Sequence, residues 1–261
     1  MSGSVTGAIA KSFAARTPVA QIPRETPDIE TSSEAYARRF AGAVGEWFLR
    51  VQAQAVLKML TPCPAATVLE VGGGHGQLTG ELVREGYRLT VMGSDKSCQQ
   101  RIKQFVDAGR CRFTTGNLLS LPYPAQSFDV VVSLRLVPHV QAWPQLIGEL
   151  ARVARRAVVV DYPTVRSLNC LTPALFGAKR RLEGNTRPYL MFRDAQISQA
   201  FAAHGFVCRA RYPEFFWPMV LHRVLKQPAI SATLEGISRV VGLTRWFGSP
   251  IIAMFVRGGN Q

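Results

Sequence analysis

Cysteine is scarce in this 261-residue chain: five residues, at Cys63, Cys98, Cys111, Cys170 and Cys208, with no C-x-x-C and no Cys/His cluster. An odd, dispersed set excludes a disulfide framework or a zinc site as the organising feature, and it suits a reducing compartment. No apolar run approaches the ~18 residues of a membrane-spanning helix. The N-terminal stretch has no long apolar core before a cleavage signal, so secretion is not expected. The expected compartment is the cytoplasm, with a peripheral place at the inner face of a membrane as the alternative. Internal repeats and low-complexity tracts are also missing. Acid is the remaining shortage, with 17 Asp and Glu against 31 Lys and Arg and a net charge of +14.

The shortage is local. Residues 151–261 hold 16 basic and 5 acidic side chains, an excess of 11 that accounts for nearly the whole imbalance. Such a field attracts phosphates, nucleic acid, an anionic membrane or an acidic substrate. A solvated basic face explains it equally well. Apolar residues make up 47% of the chain, enough at this length to bury a sizeable core in one or two domains.

What stands out is Glu70-Val71-Gly72-Gly73-Gly74-His75-Gly76, directly after the apolar run Thr67-Val68-Leu69. The run reads as a buried strand, and the glycines allow a sharp turn and a close ligand. Gly76 opens a helical pattern, Gln77 to Glu85, so the loop sits at a helix N-terminus. A second apolar run (Leu89, Val91, Met92) then leads to Asp95. This is a strand–helix–strand unit with a carboxylate placed for ribose hydroxyls. An acid two positions before the first glycine suits a cationic or amine-bearing ligand better than a phosphate. A dinucleotide fingerprint fits poorly, because its third glycine position falls on Gln77.

The organisation around this unit is alternating. Residues 1–30, with Thr17-Pro18, Ile22-Pro23 and Thr26-Pro27, read as a flexible arm. Thr31-Ser32-Ser33-Glu34 offers caps for a long helix carrying Tyr36, Phe40, Val44, Trp47, Phe48 and Val51, ended by Thr61-Pro62. Further strands are expected at Cys111–Thr114, Phe128–Leu134, Ala157–Asp161, Gly205–Arg211 and Ile251–Arg257, with helices at Trp143–Val153 and from an Asp194 cap to Phe201. The alternation implies an α/β fold with a parallel sheet covered on both faces. Residues 162–193, which carry the basic cluster Lys179-Arg180-Arg181, read as a lid insertion after the fifth strand. Residues 212–248, with the apolar Phe215 to Leu221, read as a second covering segment.

The pattern acid-x-G-x-G-x-G over Glu70, Gly72, Gly74 and Gly76 resembles motif I of the class I S-adenosylmethionine-dependent methyltransferases. Gly93-Ser94-Asp95-Lys96-Ser97 is similar to their ribose-binding turn. Gly116-Asn117-Leu118-Leu119-Ser120-Leu121-Pro122 is similar to their adenine loop, and Ser127 to Ser133 to their fourth strand. The resemblance covers about residues 67–140. It implies a Rossmann-like, mostly parallel seven-stranded sheet in the order 3-2-1-4-5-7-6, a methyltransferase domain over 31–261, and S-adenosyl-L-methionine as cofactor.

Carried over residue by residue, the resemblance places Gly72, Gly73, Gly74 and Gly76 near the methionyl part. Glu70 orients the loop or the amino group, and Asp95, with Lys96 beside it, meets the ribose. Asn117, where aspartate is common, and the Leu118 amide meet the adenine. Arg135 is expected to hold the methionyl carboxylate or to pair with a neighbouring acid. Tyr36, Phe40 and Trp47 either close over the sulfonium or pack as core. His139, Asp161 and Tyr162 are the candidates for a base, with His204 and His222 behind them. The expected acceptor is a small molecule, hydrophobic or lipid-like. An RNA or DNA methyltransferase is the alternative, weakened by the lack of an Asn-Pro-Pro-Tyr-type motif, and a non-catalytic cofactor-binding scaffold is the second. The sequence leaves the oligomeric state open.

Overall fold

The computed structural model describes residues 23–168 and 189–259. Seven strands form one sheet: β1 (Thr67–Val71), β2 (Arg88–Gly93), β3 (Cys111–Thr115), β4 (Phe128–Ser133), β5 (Ala154–Tyr162), β6 (Phe206–Phe215) and β7 (Ser249–Arg257). Their order is 3-2-1-4-5-7-6. β7 pairs antiparallel with both neighbours, and the first five strands pair in parallel. β6 therefore runs in the same sense as those five. The helices are α1 (Asp28–Thr31), α2 (Glu34–Ala37), α3 (Gly42–Leu60), α4 (Thr79–Arg84), α5 (Lys103–Asp107), α6 (Trp143–Val153), α7 (Asp194–Ala202), α8 (Met219–Leu225), α9 (Pro228–Val240) and α10 (Leu243–Phe247).

Alternation along the strands feeds two cores. Leu69, Val71, Val131, Val158, Val160 and Tyr162 pack under α6 and α7. Val68, Val130, Val132, Ala157, Val159 and Tyr212 pack on the opposite face, under α3 and α4. The same alternation decides which polar side chains meet. Glu70, Asp161 and Glu214 share the α3 face, because each is two residues from a core member on that side.

Several boundaries differ from the sequence expectation. The first long helix is interrupted: α2 passes into a 3₁₀ turn, Arg38–Phe40, and α3 starts afresh after an extended Ala41, with Gly42 at φ +80°. β6 runs on through Phe215, since Tyr212, Pro213 and Phe215 pair with Ile252, Ile251 and Ser249. Residues 212–215 are thus sheet rather than a covering segment. Asp194 is not the cap of α7. Arg193 holds that place, and the Asp194 carboxylate pairs with Arg211 (2.6 Å) and accepts from the Tyr162 hydroxyl (3.1 Å). Residues 1–22, and the Lys179-Arg180-Arg181 cluster with most of the 162–193 insertion, lie outside the described residues.

Candidate functional site

The carboxyl ends of β1, β2, β4, β5 and β6 meet along one edge, where β1 and β4 diverge, the place at which open α/β sheets bind ligands. The glycine loop leaves β1 there. Gly72 (φ +74°) and Gly76 (φ +69°) lie in the left-handed region that a side chain disfavours. Gly73 and Gly74 are required by packing of the chain itself. A Cβ on Gly73 would lie 2.4 Å from the Glu70 side chain, and one on Gly74 would lie 2.3 Å from the Cys98 carbonyl and 2.4 Å from the Ser32 hydroxyl.

Glu70 sits beneath this loop. It is fully buried, and its Oε2 accepts from the Thr79 hydroxyl at 2.8 Å. Burial pushes its carboxyl up to about 8, against the Thr79 hydrogen bond, and so favours the neutral form of this support beneath the turn. His75 is also buried, and its Nδ1 accepts from the Gln77 amide. Burial, followed by the Arg135 guanidinium, holds its ring down at about 3.

At the end of β2, Asp95 is exposed, and its Oδ1 accepts from the Ser97 amide and hydroxyl, both at 2.8 Å. Those two bonds hold its carboxyl below the usual range. Lys96 follows on the surface. Asn117 is already engaged: its Oδ1 accepts from the Leu119 amide (3.0 Å) and its Nδ2 donates to the Pro23 carbonyl (3.1 Å). Leu118 is wholly buried.

The Pro23 contact belongs to a strap within the stretch whose composition reads as a flexible arm. Residues 23–28 cross the ends of β2, β3 and β4. Arg24 donates to the Ser94 carbonyl (2.5 Å), and the Glu25 carboxylate takes the Gln141 and Ala142 amides at 2.7 and 2.8 Å, just before α6. Asp28 is completely buried and accepts from the Ser94 amide (2.6 Å), the Ser94 hydroxyl (2.5 Å) and the Cys98 thiol (3.3 Å). The strap overlies the turn and loop assigned to ribose and adenine.

Beyond β4 lies a polar cluster on the α3 face. Arg135 has φ +59°, a strained place for a residue that carries a Cβ. Its amide donates to Asp161 Oδ1 at 2.6 Å, which fixes that conformation. Its guanidinium lies 4.0 Å from the Phe40 ring centroid and donates to Gln52 Oε1 (3.0 and 3.4 Å). Among the described residues it makes no ion pair within 4.0 Å. The Gln52 amide in turn donates to Glu214 Oε1 at 3.2 Å. Asp161 and Glu214 are both buried, and burial raises them to about 6 and about 8. Gln52 and Glu214 were not among the residues expected from the sequence. The one available signal was an acid, Glu214, set in the basic final third directly before Phe215-Phe216-Trp217.

The other candidates separate. Tyr162, next to Asp161 on the strand, faces the opposite core, where its hydroxyl is held by Asp194 and its titration is pushed upward by burial. Strand alternation therefore removes it from the cluster. His139 ends a 3₁₀ turn, Val137–His139, one turn beyond Arg135. Tyr36 packs on Phe40 with Arg39 over its ring, and Trp47 packs on Phe48, Phe215 and His222. Of the three aromatics, Phe40 is the one that meets the site. His222 belongs to this aromatic packing and pairs with Glu235 at 3.0 Å, while His204 lies beside Gly148 of α6.

The residues present fit S-adenosylmethionine. The Arg135 guanidinium, which makes no ion pair within 4.0 Å among the described residues, suits its carboxylate, and the exposed Asp95 suits its ribose hydroxyls. The family described as "Methyltransferase domain" matches residues 69–160. A Mycobacterium tuberculosis protein named "Probable S-adenosylmethionine-dependent methyltransferase" is 30% identical over 110 residues, 42% of this chain and 39% of that protein. The alignment thus spans well under half of that relative. "Ribosomal RNA small subunit methyltransferase A" of a Synechococcus is 36% identical over 70 residues, 26% of this chain and 25% of that one. Among solved structures, magnesium protoporphyrin IX methyltransferase from Synechocystis, with bound SAH, aligns with a TM-score of 0.60 at 18% identity, covering 86% of this chain and 94% of that one. The [4+2]-cyclase SpnF aligns with a TM-score of 0.54 at 16% identity, over 79% and 80%. Residues 69–160 thus match a methyltransferase domain, and the motif order and sheet order are similar to those of the class I S-adenosylmethionine-dependent methyltransferases.

Proposed function

We propose that the chain transfers a methyl group from S-adenosylmethionine to a small, hydrophobic acceptor. The observation that carries this reading is the Arg135 cluster at the divergence of β1 and β4. The Arg135 guanidinium, held by Gln52 and Phe40, would face the cofactor, and the buried carboxyls of Asp161 and Glu214 would face the acceptor. The cofactor, when bound, supplies a methyl carbon already activated by a sulfonium. The chain's part is alignment and exclusion of water. Asp95 would take the ribose hydroxyls, the Leu118 amide and the second lone pair of the Asn117 carbonyl would meet the adenine, and Arg135 would take the carboxylate. The strap at 23–28 would close over the nucleoside.

On the acceptor side, Asp161 and Glu214 stand where a proton would leave an oxygen or nitrogen nucleophile. Asp161, held near 6, is the better base at neutral pH. Burial, with the neighbouring Asp161, raises the Glu214 carboxyl, so it holds its proton more tightly than Asp161 does. Phe40, Phe48 and Phe215 supply apolar walls beside them. The family fold alone does not choose the reaction, and the similarity to a ribosomal RNA methyltransferase, with the basic final third, favours nucleic acid as the second reading. Incubation with methyl-labelled S-adenosylmethionine and either a solvent extract of host cells or total RNA separates them. Label in the organic phase is the expected result, and label confined to RNA would overturn the acceptor class.

A further inference from the structure

We propose that the outer face of α9 and α10 docks on an anionic lipid surface. Of the eleven exposed large hydrophobic residues among the described ones, eight fall between Val224 and Phe247. Val240 is 88% exposed, Val241 63%, Trp246 61% and Ile237 58%. Isolated exposed apolar residues are ordinary, whereas a concentration of them marks an interaction site.

The amphipathy of α9 is inverted. Its buried residues are Ser231, Glu235 and Ser238, at helical spacing along one face. Ile230, Leu234, Ile237 and Val241 recur at the same spacing on a neighbouring stripe, and all but Leu234 are exposed. A helix held only by its hydrophobic side would turn that stripe inward. Here the polar side is fixed instead. The Glu235 carboxylate takes the Phe216 and Trp217 amides, both at 2.9 Å, and pairs with His222, while the Ser238 hydroxyl accepts from the Trp217 indole (3.1 Å). The apolar stripe is thereby directed outward, and α10 extends it with Trp246 and Phe247 beyond Gly242.

Charge selects the partner. Residues 219–248 carry Arg223, Lys226, Arg239 and Arg245 against the single acid Glu235, a net of +3, and that acid is buried and consumed. Lys226, Arg239 and Arg245 are exposed. An apolar stripe rimmed by cations, with an amphipathic Trp at its edge, matches the interface of an acidic bilayer. No helix among the described residues is long and apolar enough to cross a membrane, so the contact is peripheral. Glu235 ties α9 to Phe216 and Trp217, two and three residues after Glu214, so docking would bring the acceptor side of the site close to lipid. That last consequence rests on the proposed reaction, but the docking does not.

Co-sedimentation of the full chain with phosphatidylcholine vesicles, with and without phosphatidylglycerol, tests it. Sedimentation with the acidic vesicles only, weakening as salt rises, is expected. The surface variant Ile237→Ser/Val241→Ser/Trp246→Ala should lose about tenfold or more in vesicle affinity, and Lys226→Gln/Arg245→Gln should lose the preference for acidic lipid. Both should keep the far-ultraviolet spectrum and S-adenosylhomocysteine binding of the parent. No binding to acidic vesicles, equal binding to neutral ones, or a dimer that the apolar variant dissociates would each overturn the proposal.

Discussion

Replacing Glu214 by glutamine should stabilise the protein at alkaline pH and change it little at acid pH. Burial raises this carboxyl from 4.5 to about 8, with Asp161 adding to the rise and Arg135 and the Gln52 hydrogen bond opposing it. Across that interval the folded chain keeps a proton that the unfolded chain has released. The slope of stability with pH follows protons bound in the unfolded state minus those in the folded state, which is negative here. Wild-type stability therefore falls as pH rises from about 4.5 to about 8 and then levels. At ~1.4 kcal/mol per pH unit, the interval of roughly 3.5 units (8 less 4.5) caps the effect near ~5 kcal/mol. Coupling to Asp161 spreads part of this over both groups, leaving ~2–4 kcal/mol for Glu214 itself. Glutamine preserves the shape, and its carbonyl can still accept from Gln52. Glu70 and Asp161 titrate in both proteins and largely cancel in the difference. Urea unfolding at a series of pH values measures it. The gap between variant and wild type should open from near zero around pH 5 to ~2–4 kcal/mol above pH 8. A gap that stays flat across that range would refute the buried, protonated carboxyl.

Two further outcomes follow from the cofactor side. Asp95→Ala should weaken S-adenosylhomocysteine binding more than Asn117→Ala, because a charged acceptor for two hydroxyls is lost rather than a neutral contact already shared with Leu119 and Pro23; equal losses by calorimetry would misplace the ribose. Asp28→Ala should leave the buried Ser94 amide unmet at a cost of ~1–3 kcal/mol and free the strap, so proteolysis near residue 23 should accelerate and cofactor should leave faster. Unchanged cofactor release by stopped flow would mean that the strap does not cover the nucleoside.

The parts legible in the sequence are those whose signal is local. The glycine loop, the strand runs and α6 could be read directly, because periodicity and turn chemistry act over a few residues. Helix α6 spans Trp143–Val153, as its pattern predicts. Tyr162 was misplaced for an equally simple reason: it neighbours Asp161 in sequence, and a strand sends neighbours to opposite faces. The rest depends on distant pairs. Asp28 meets Ser94 across 66 positions, and Gln52 meets Glu214 across 162. Nothing near Gln52 marks it, since a glutamine in a helix is ordinarily a solvent residue. Asp28 lies in a proline-rich stretch whose composition reads as unstructured, and it is the distant Ser94 amide and hydroxyl, both donating to it, that give it a place. Glu214 stands at the end of a strand longer than its own apolar run suggested.

Calorimetric titration of the full chain with S-adenosylmethionine, S-adenosylhomocysteine and NAD tests the central claim most directly. The account predicts that both adenosyl ligands bind at one site per chain, that Arg135→Ala and Asp95→Ala each weaken them, and that NAD gives no binding heat. Binding of NAD without either adenosyl ligand, or adenosyl binding indifferent to both substitutions, would contradict it.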